Sequence, residues 1–142
     1  VMLDYAHTPD ALGNILTTIR TYAKGRVVTV FGCGGDRDRT KRPKMAAAAA
    51  KYSDFLIVTS DNPRTEDPAS IIKEVLVGLE GCDVPYVVME NRKEAIGYAI
   101  QNAQKDDLIL LAGKGHEDYQ IIGKEKHHFD EKEIVEEYLK QC

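Results

Sequence analysis

At 142 residues, 43% hydrophobic and 30% charged, the chain has the size of one compact domain with enough apolar side chains for a buried core. Nineteen Lys and Arg against twenty-three Asp and Glu give a net charge of −4 without a long one-sign run, which argues against nucleic-acid or anionic-membrane binding. Three cysteines, Cys33, Cys82 and Cys142, lack disulfide-framework or zinc spacing and point to a reducing compartment, cytoplasmic by default. No apolar stretch approaches the roughly 20 residues that span a bilayer, and no secretory leader pattern opens the chain.

Residues 1–5 form an apolar run that reads as a strand already under way, so the expectation is a domain taken from something longer. Thr8 as N-cap and Pro9 at the first helical position start a helix with Leu12, Ile15, Leu16 and Ile19 on one face, ending near Gly25. A near-continuous apolar strand follows over residues 26–31, and such runs suit strands buried on both faces of a parallel sheet. The next helix is expected from about Thr40 through the alanine block at 46–50, whose small side chains allow close approach to a sheet. Strands at 54–59, 84–89 and 107–112 alternate with helices starting at Asp67-Pro68 and near Asn91. Residues 119–122 and 125–129 read as a hairpin about Gly123-Lys124, followed by a helix from Asp130. The pattern predicts an α/β three-layer sandwich with a mostly parallel sheet and the hairpin as its antiparallel edge.

In such sheets ligands collect at the carboxyl ends of the strands, so the post-strand loops carry the functional expectation. Four are unusual: residues 4–9 (DYAHTP), 32–39 (GCGGDRDR), 60–64 (SDNPR) and 112–117 (AGKGHE). The glycine loop is neither a Walker A motif nor a dinucleotide fingerprint; by itself it reads equally as a tight turn or a ligand contact. Arg37, placed beyond glycines that let backbone come close, can clamp a carboxylate or phosphate. The run Asp36, Arg37, Asp38, Arg39, Lys41 and Arg42 otherwise reads as a solvated face with one or two members recruited. In Asp61-Asn62-Pro63-Arg64 the pre-proline restriction stiffens a loop that can present an amide and a guanidinium to a zwitterion; a simple proline turn is the competing reading. Around Gly113, paired glycines permit positive φ and free carbonyls, and Glu117 beside them can hold an ammonium. Lys114 reads as a solvated side chain and His116 as a structural imidazole; neither they nor His127-His128 show metal-ligand spacing. Asp4 and His7 flank a helix N-terminus that favours an anion, which suits a nucleotide phosphate with Asp4 toward the ribose.

Taken together, residues 4–12, the Gly-Cys-Gly-Gly-Asp-Arg-Asp loop with Lys41-Arg42-Pro43, Asp61-Asn62-Pro63-Arg64 and Gly-Lys-Gly-His-Glu resemble, in order and over essentially residues 1–142, the C-terminal domain of the Mur ligase family, closest to its diaminopimelate-adding members. The resemblance implies a Rossmann-like mixed sheet and a role in ATP-dependent amide ligation during peptidoglycan synthesis. ATP phosphorylates a D-glutamate γ-carboxylate of UDP-MurNAc-L-Ala-D-Glu, and the amine of meso-diaminopimelate attacks the acyl phosphate. It further implies that the uridine-nucleotide-binding domain and the central ATPase domain, with the P-loop and most contacts to ATP and Mg2+, lie outside this sequence. No catalytic or metal-binding residue is therefore expected within it. Carried over, Arg37 clamps a carboxylate of the incoming amino acid, and Asn62 and Arg64 read its distal carboxylate with Asp61 alongside. The Gly113 carbonyl and Glu117 take the distal ammonium, while Asp4 contacts the ATP ribose and His7 lies near the phosphates. Lysine-adding relatives depart at Asp-Asn-Pro-Arg, because lysine would leave Arg64 without a charge partner. Other readings are a lysine-adding homologue, a stand-alone nucleotide or amino-acid binding module, and a folylpolyglutamate-type ligase, which shares an Asp-x-Ala-His-x-Pro-like segment.

Overall fold

The computed structural model describes residues 1–115 and 117–141, so the expectations for His116 and Cys142 lie outside the described residues. In chain order the elements are β1 (Met2–Asp4), α1 (Pro9–Arg20), β2 (Val27–Phe31), α2 (Lys41–Tyr52), β3 (Phe55–Val58), α3 (Pro68–Val77), β4 (Tyr86–Val88), α4 (Arg92–Gln101), β5 (Leu108–Ala112), β6 (Tyr119–Ile122), β7 (Glu125–His128) and α5 (Glu131–Leu139). Four helix starts carry the caps their residue types promise: Thr8, Asp67, Asn91 and Asp130 each accept from a backbone N–H of the first turn. The first helix is shorter than expected, stopping at Arg20.

The five-stranded sheet has the order β1-β5-β2-β3-β4, and every pairing in it is parallel. Strand alternation divides the core between its two faces. Val27, Phe31, Leu56, Val58, Leu110 and Ala112 pack with α1, α2 and α3. Val28, Val30, Ile57, Ile109 and Leu111 pack with α4 and α5. The central strand β2 is buried along its whole length, which is why it reads as an unbroken apolar run. Its one polar residue, Thr29, is satisfied by a 2.6 Å hydrogen bond with Ser53.

The hairpin is present and turns at Gly123 with φ +63, but it stands outside the main sheet as a two-stranded sheet of its own. It runs instead beside the loop after β3, joined by a parallel bridge between Arg64 and Ile122. The glycine turn between residues 119–122 and 125–128 marks the hairpin in the sequence and carries no information about its neighbour. The strand order reverses at β5, which the chain inserts between β1 and β2 after returning along the opposite face. The loops after β1, β2, β3 and β5 thus converge at one rim.

Candidate functional site

These loops enclose a cavity of about 440 Å³, within the size range of small-ligand sites. Its lining includes Arg37, Asp61, Asn62, Arg64, Gly113 and Glu117, together with His7 and Thr8 at the start of α1. All six residues expected to hold the amino acid therefore share one wall system, with Arg64 and Glu117 facing the same space. Asp4 stands outside that lining; its Oδ1 accepts from Ala6 N at 2.8 Å and so orders the turn into α1. His7 Nδ1 lies 2.9 Å from the Tyr5 carbonyl, which can only accept, so Nδ1 carries a proton.

Close backbone contact brings the glycine loop and the Asp-Asn-Pro-Arg loop together. Gly35 N donates to Asn62 O at 2.8 Å, and a Cβ at Gly35 would sit 1.8 Å from Pro63 O. Only glycine permits that approach. Asp36, Arg37, Asp38, Arg39 and Lys41 of the charged run after it are exposed, and Arg42 is the member buried in this junction, in line with a solvated face from which one or two members are recruited. Arg42 is 1% exposed and donates to Glu66, Glu74 and the Gly34 carbonyl. Arg39 makes a bidentate pair with Glu74, and Asp36 accepts from Thr65 Oγ1. The Arg42 hydrogen bonds, followed by the one from Asp36 N, pull the Glu66 carboxyl down to about 2. Arg37 remains exposed, with a single bond from Nη1 to the Asp36 carbonyl.

Arg64 adopts the left-handed conformation, φ +52, and is held there by the hairpin: its N–H donates to Ile121 O and its carbonyl accepts from Gly123 N. Its half-buried guanidinium is steered by backbone alone, with Nη1 3.0 Å from Gly35 O and 3.4 Å from Asn62 O. Among the described residues no carboxylate forms an ion pair with it, in contrast to Arg39, Arg42 and Arg92. Asn62 Oδ1 accepts from both Lys114 Nζ at 2.9 Å and Ile121 N at 3.0 Å. Two donors on one atom fix the amide orientation and turn the Nδ2 donors away from them. Gly113, φ +113, lies beside the Asp61 carboxylate, and its N–H is taken by Asp4 O.

The expectation of a solvated Lys114 is overturned. The side chain is fully buried, with Nζ 3.0 Å from Asp61 Oδ1, 3.9 Å from Glu117 Oε1 and hydrogen-bonded to Asn62 and the Tyr119 carbonyl. Its contact with Asp61 Oδ1 has ion-pair distance without hydrogen-bond geometry. The flanking glycines, which suggest an exposed turn, let β5's exit fold the lysine back under the loop. Sequence reasoning also missed Arg92, whose fully buried guanidinium pairs with Glu131 and donates to Ser60 O and Ala112 O. It thereby ties together the ends of β3 and β5 immediately before Asp61 and Gly113. Gln120 adds a 2.7 Å bond to Asp61 O. Cys33 lines the cavity half-buried, and burial, reinforced by Asp61, pushes its thiol up to about 12, which favours the thiol over the thiolate. Among the described residues no group of three or more His, Cys, Asp or Glu could hold a metal, and no helix is long and apolar enough to cross a membrane.

Among the described residues this is an α/β domain with a parallel three-layer sheet, whose strand-end cavity is lined by two arginines without an ion pair, the buried Asp61, the half-buried Glu117 and a helix N-terminus. The chain belongs to the Mur ligase family: the domain described as "Mur ligase, glutamate ligase domain" matches residues 1–115. It is 57% identical over 139 residues to the UDP-N-acetylmuramoyl-L-alanyl-D-glutamate--2,6-diaminopimelate ligase of Clostridioides difficile, covering 98% of this chain and 29% of that protein. The protein of that name from Bacillus cereus is 57% identical, covering 98% of this chain and 28% of its own length. The chain thus spans under a third of these relatives. A solved structure with the same enzyme name superposes with a TM-score of 0.91 at 43% identity, over 98% of this chain and 28% of that one. E. coli FolC in complex with ADP shares the fold alone, with a TM-score of 0.57 and 22% identity over 76% of this chain and 24% of that one.

Proposed function

We propose that this chain is the C-terminal domain of an ATP-dependent amide ligase that adds meso-diaminopimelate to UDP-MurNAc-L-Ala-D-Glu in peptidoglycan synthesis, working in the cytoplasm. The observation that carries the reading is Arg64: a guanidinium aimed into the cavity by two backbone carbonyls, without a carboxylate of its own among the described residues. A cation positioned this way is poised for a ligand carboxylate, which it can meet with two parallel hydrogen bonds. Asn62, whose Oδ1 is already taken by two donors, keeps its Nδ2 as a further donor. Glu117, Asp61 and Gly113 line the part of the cavity suited to the distal ammonium. Arg37, exposed at the rim of the same cavity, takes the carboxylate next to the attacking amine. This chain therefore binds and orients the nucleophile, and the amine attacks an acyl phosphate formed elsewhere in the full-length protein. The fragment alone is expected to turn nothing over.

ATP fits the other end of the rim, where His7 and the N-terminus of α1 line the cavity and Asp4 ends β1 just before them. Asp4 Oδ1 is engaged with Ala6 N, so a ribose hydroxyl would meet the second carboxyl oxygen. Among the described residues no group of three or more acids, histidines or cysteines could hold Mg2+, and we assign its contacts to residues outside this sequence.

A lysine-adding activity is disfavoured because lysine would leave the half-buried Arg64 unpaired, and relatives at 57% identity bear the diaminopimelate name. The folylpolyglutamate reading has only the shared fold to support it. Steady-state kinetics of the full-length protein test the proposal. ATP-dependent product formation with meso-diaminopimelate is expected, exceeding L-lysine in kcat/KM by roughly 100-fold or more. Equal use of the two amino acids would remove it.

A further inference from the structure

The buried cation beneath the cavity has no place in the scheme above, since it is fully enclosed and no ligand can touch it. It nevertheless contacts three of the residues assigned to the amino acid: Asp61, Asn62 and Glu117. Burying a lysine is costly unless its charge is paired and its protons are used, and here two carboxylates and two carbonyl-type oxygens do both. Burial alone requires partners, but it does not require that three of them line one cavity, as Asp61, Asn62 and Glu117 do.

The geometry points to Lys114 as a positioning residue that sets the selectivity of the site for a distal carboxylate and ammonium, an inference that rests on the function proposed above. Two effects follow from its location. Together with Ile121 N it donates to Asn62 Oδ1 and so fixes the amide with Nδ2, a donor, left for the ligand; the reversed amide would offer an oxygen and repel a carboxylate. By standing between Asp61 and Glu117 it keeps two acids close together on the ammonium side without mutual repulsion. The Tyr119 carbonyl adds the hairpin to the same junction, so β6, the Asp-Asn-Pro-Arg loop and the loop after β5 are held by one ammonium.

The test uses the full-length ligase with Lys114→Met and Lys114→Gln. Gln retains an N–H donor for Asn62 but not the charge. Lys114→Met is expected to raise KM for diaminopimelate roughly 10- to 100-fold, the size of an unmade buried charge-assisted bond, and to shrink the preference over L-lysine by a similar factor. KM for ATP and for the UDP-linked dipeptide should stay within about twofold, a split that general loosening of the fold would not produce. Lys114→Gln is expected to recover part of the selectivity; if the Met variant does not fold, a partial loss of selectivity in the folded Gln variant supports the assignment. Unchanged selectivity in either folded variant, or a joint rise of all three KM values, overturns it. Failure of the unmutated enzyme to use diaminopimelate would instead overturn the functional reading itself, whatever the variants do.

Discussion

Replacing Arg64 by alanine separates its binding role from its structural one. On the structural side the substitution removes two hydrogen bonds to neutral carbonyls, one of 3.0 Å and one of 3.4 Å at the edge of the useful range, from a half-buried group. Their loss costs roughly 1 kcal/mol. The left-handed backbone at position 64 is imposed by the bonds to Ile121 and Gly123 and is no harder for alanine than for arginine. Thermal unfolding is therefore expected to fall by only a few degrees. On the binding side a bidentate contact to a carboxylate is lost, about 3 kcal/mol, or roughly 100-fold in kcat/KM for diaminopimelate. The assay is steady-state kinetics of the full-length protein alongside a melting curve. A fall in kcat/KM of less than about threefold with the fold intact would refute the argument that the guanidinium meets the distal carboxylate.

Gly35→Ala drives a Cβ to within 1.8 Å of the Pro63 carbonyl, so the glycine loop and the Asp-Asn-Pro-Arg loop must separate; chemical denaturation should show a loss of several kcal/mol, and wild-type stability would contradict the contact. Arg92→Met strands the Glu131 carboxylate, whose Oε1 already lacks a hydrogen bond, and is expected to cost about 3–5 kcal/mol. Adding Glu131→Leu should recover much of that, and additive losses in the double variant would show that the pair is not coupled. Glu66 titrates near 2 in the folded chain against 4.5 as an ordinary carboxyl, so its pairing contributes stability that is fully present above about pH 4.5 and is lost as the pH falls toward 2. Glu66→Gln should lower stability at neutral pH and flatten its decline across that acid range; an unchanged acid limb would exclude Glu66 as a source of it.

Much of this architecture is legible from residue order because local signals and the fold agree. The buried strands read as apolar runs since both faces are covered, and Thr8-Pro9, Asp67-Pro68, Asn91 and Asp130 announce helices that start where they stand. The loops that build the cavity were recognisable because glycine, proline and charge cluster after strands. What sequence could not supply is which charges pair with which. Arg42, Arg92 and Lys114 look like ordinary solvated cations, and each is buried only because a carboxylate from elsewhere in the chain, 24, 39 or 53 residues away, arrives beside it. The hairpin was likewise visible as a hairpin, whereas its seat against residues 61–64 depends on side-chain and backbone bonds from Gln120, Ile121 and Gly123 that no periodicity encodes.

The most direct measurement is a crystal structure of the full-length protein with ADP and meso-diaminopimelate. The distal carboxylate is expected roughly 3 Å from the Arg64 guanidinium and Asn62 Nδ2, with the distal ammonium against Glu117 and the Gly113 carbonyl. An amino acid seated instead in the larger cavity of about 790 Å³ between α4, α5 and the hairpin, with Arg64 still bound only to backbone, would contradict the assignment.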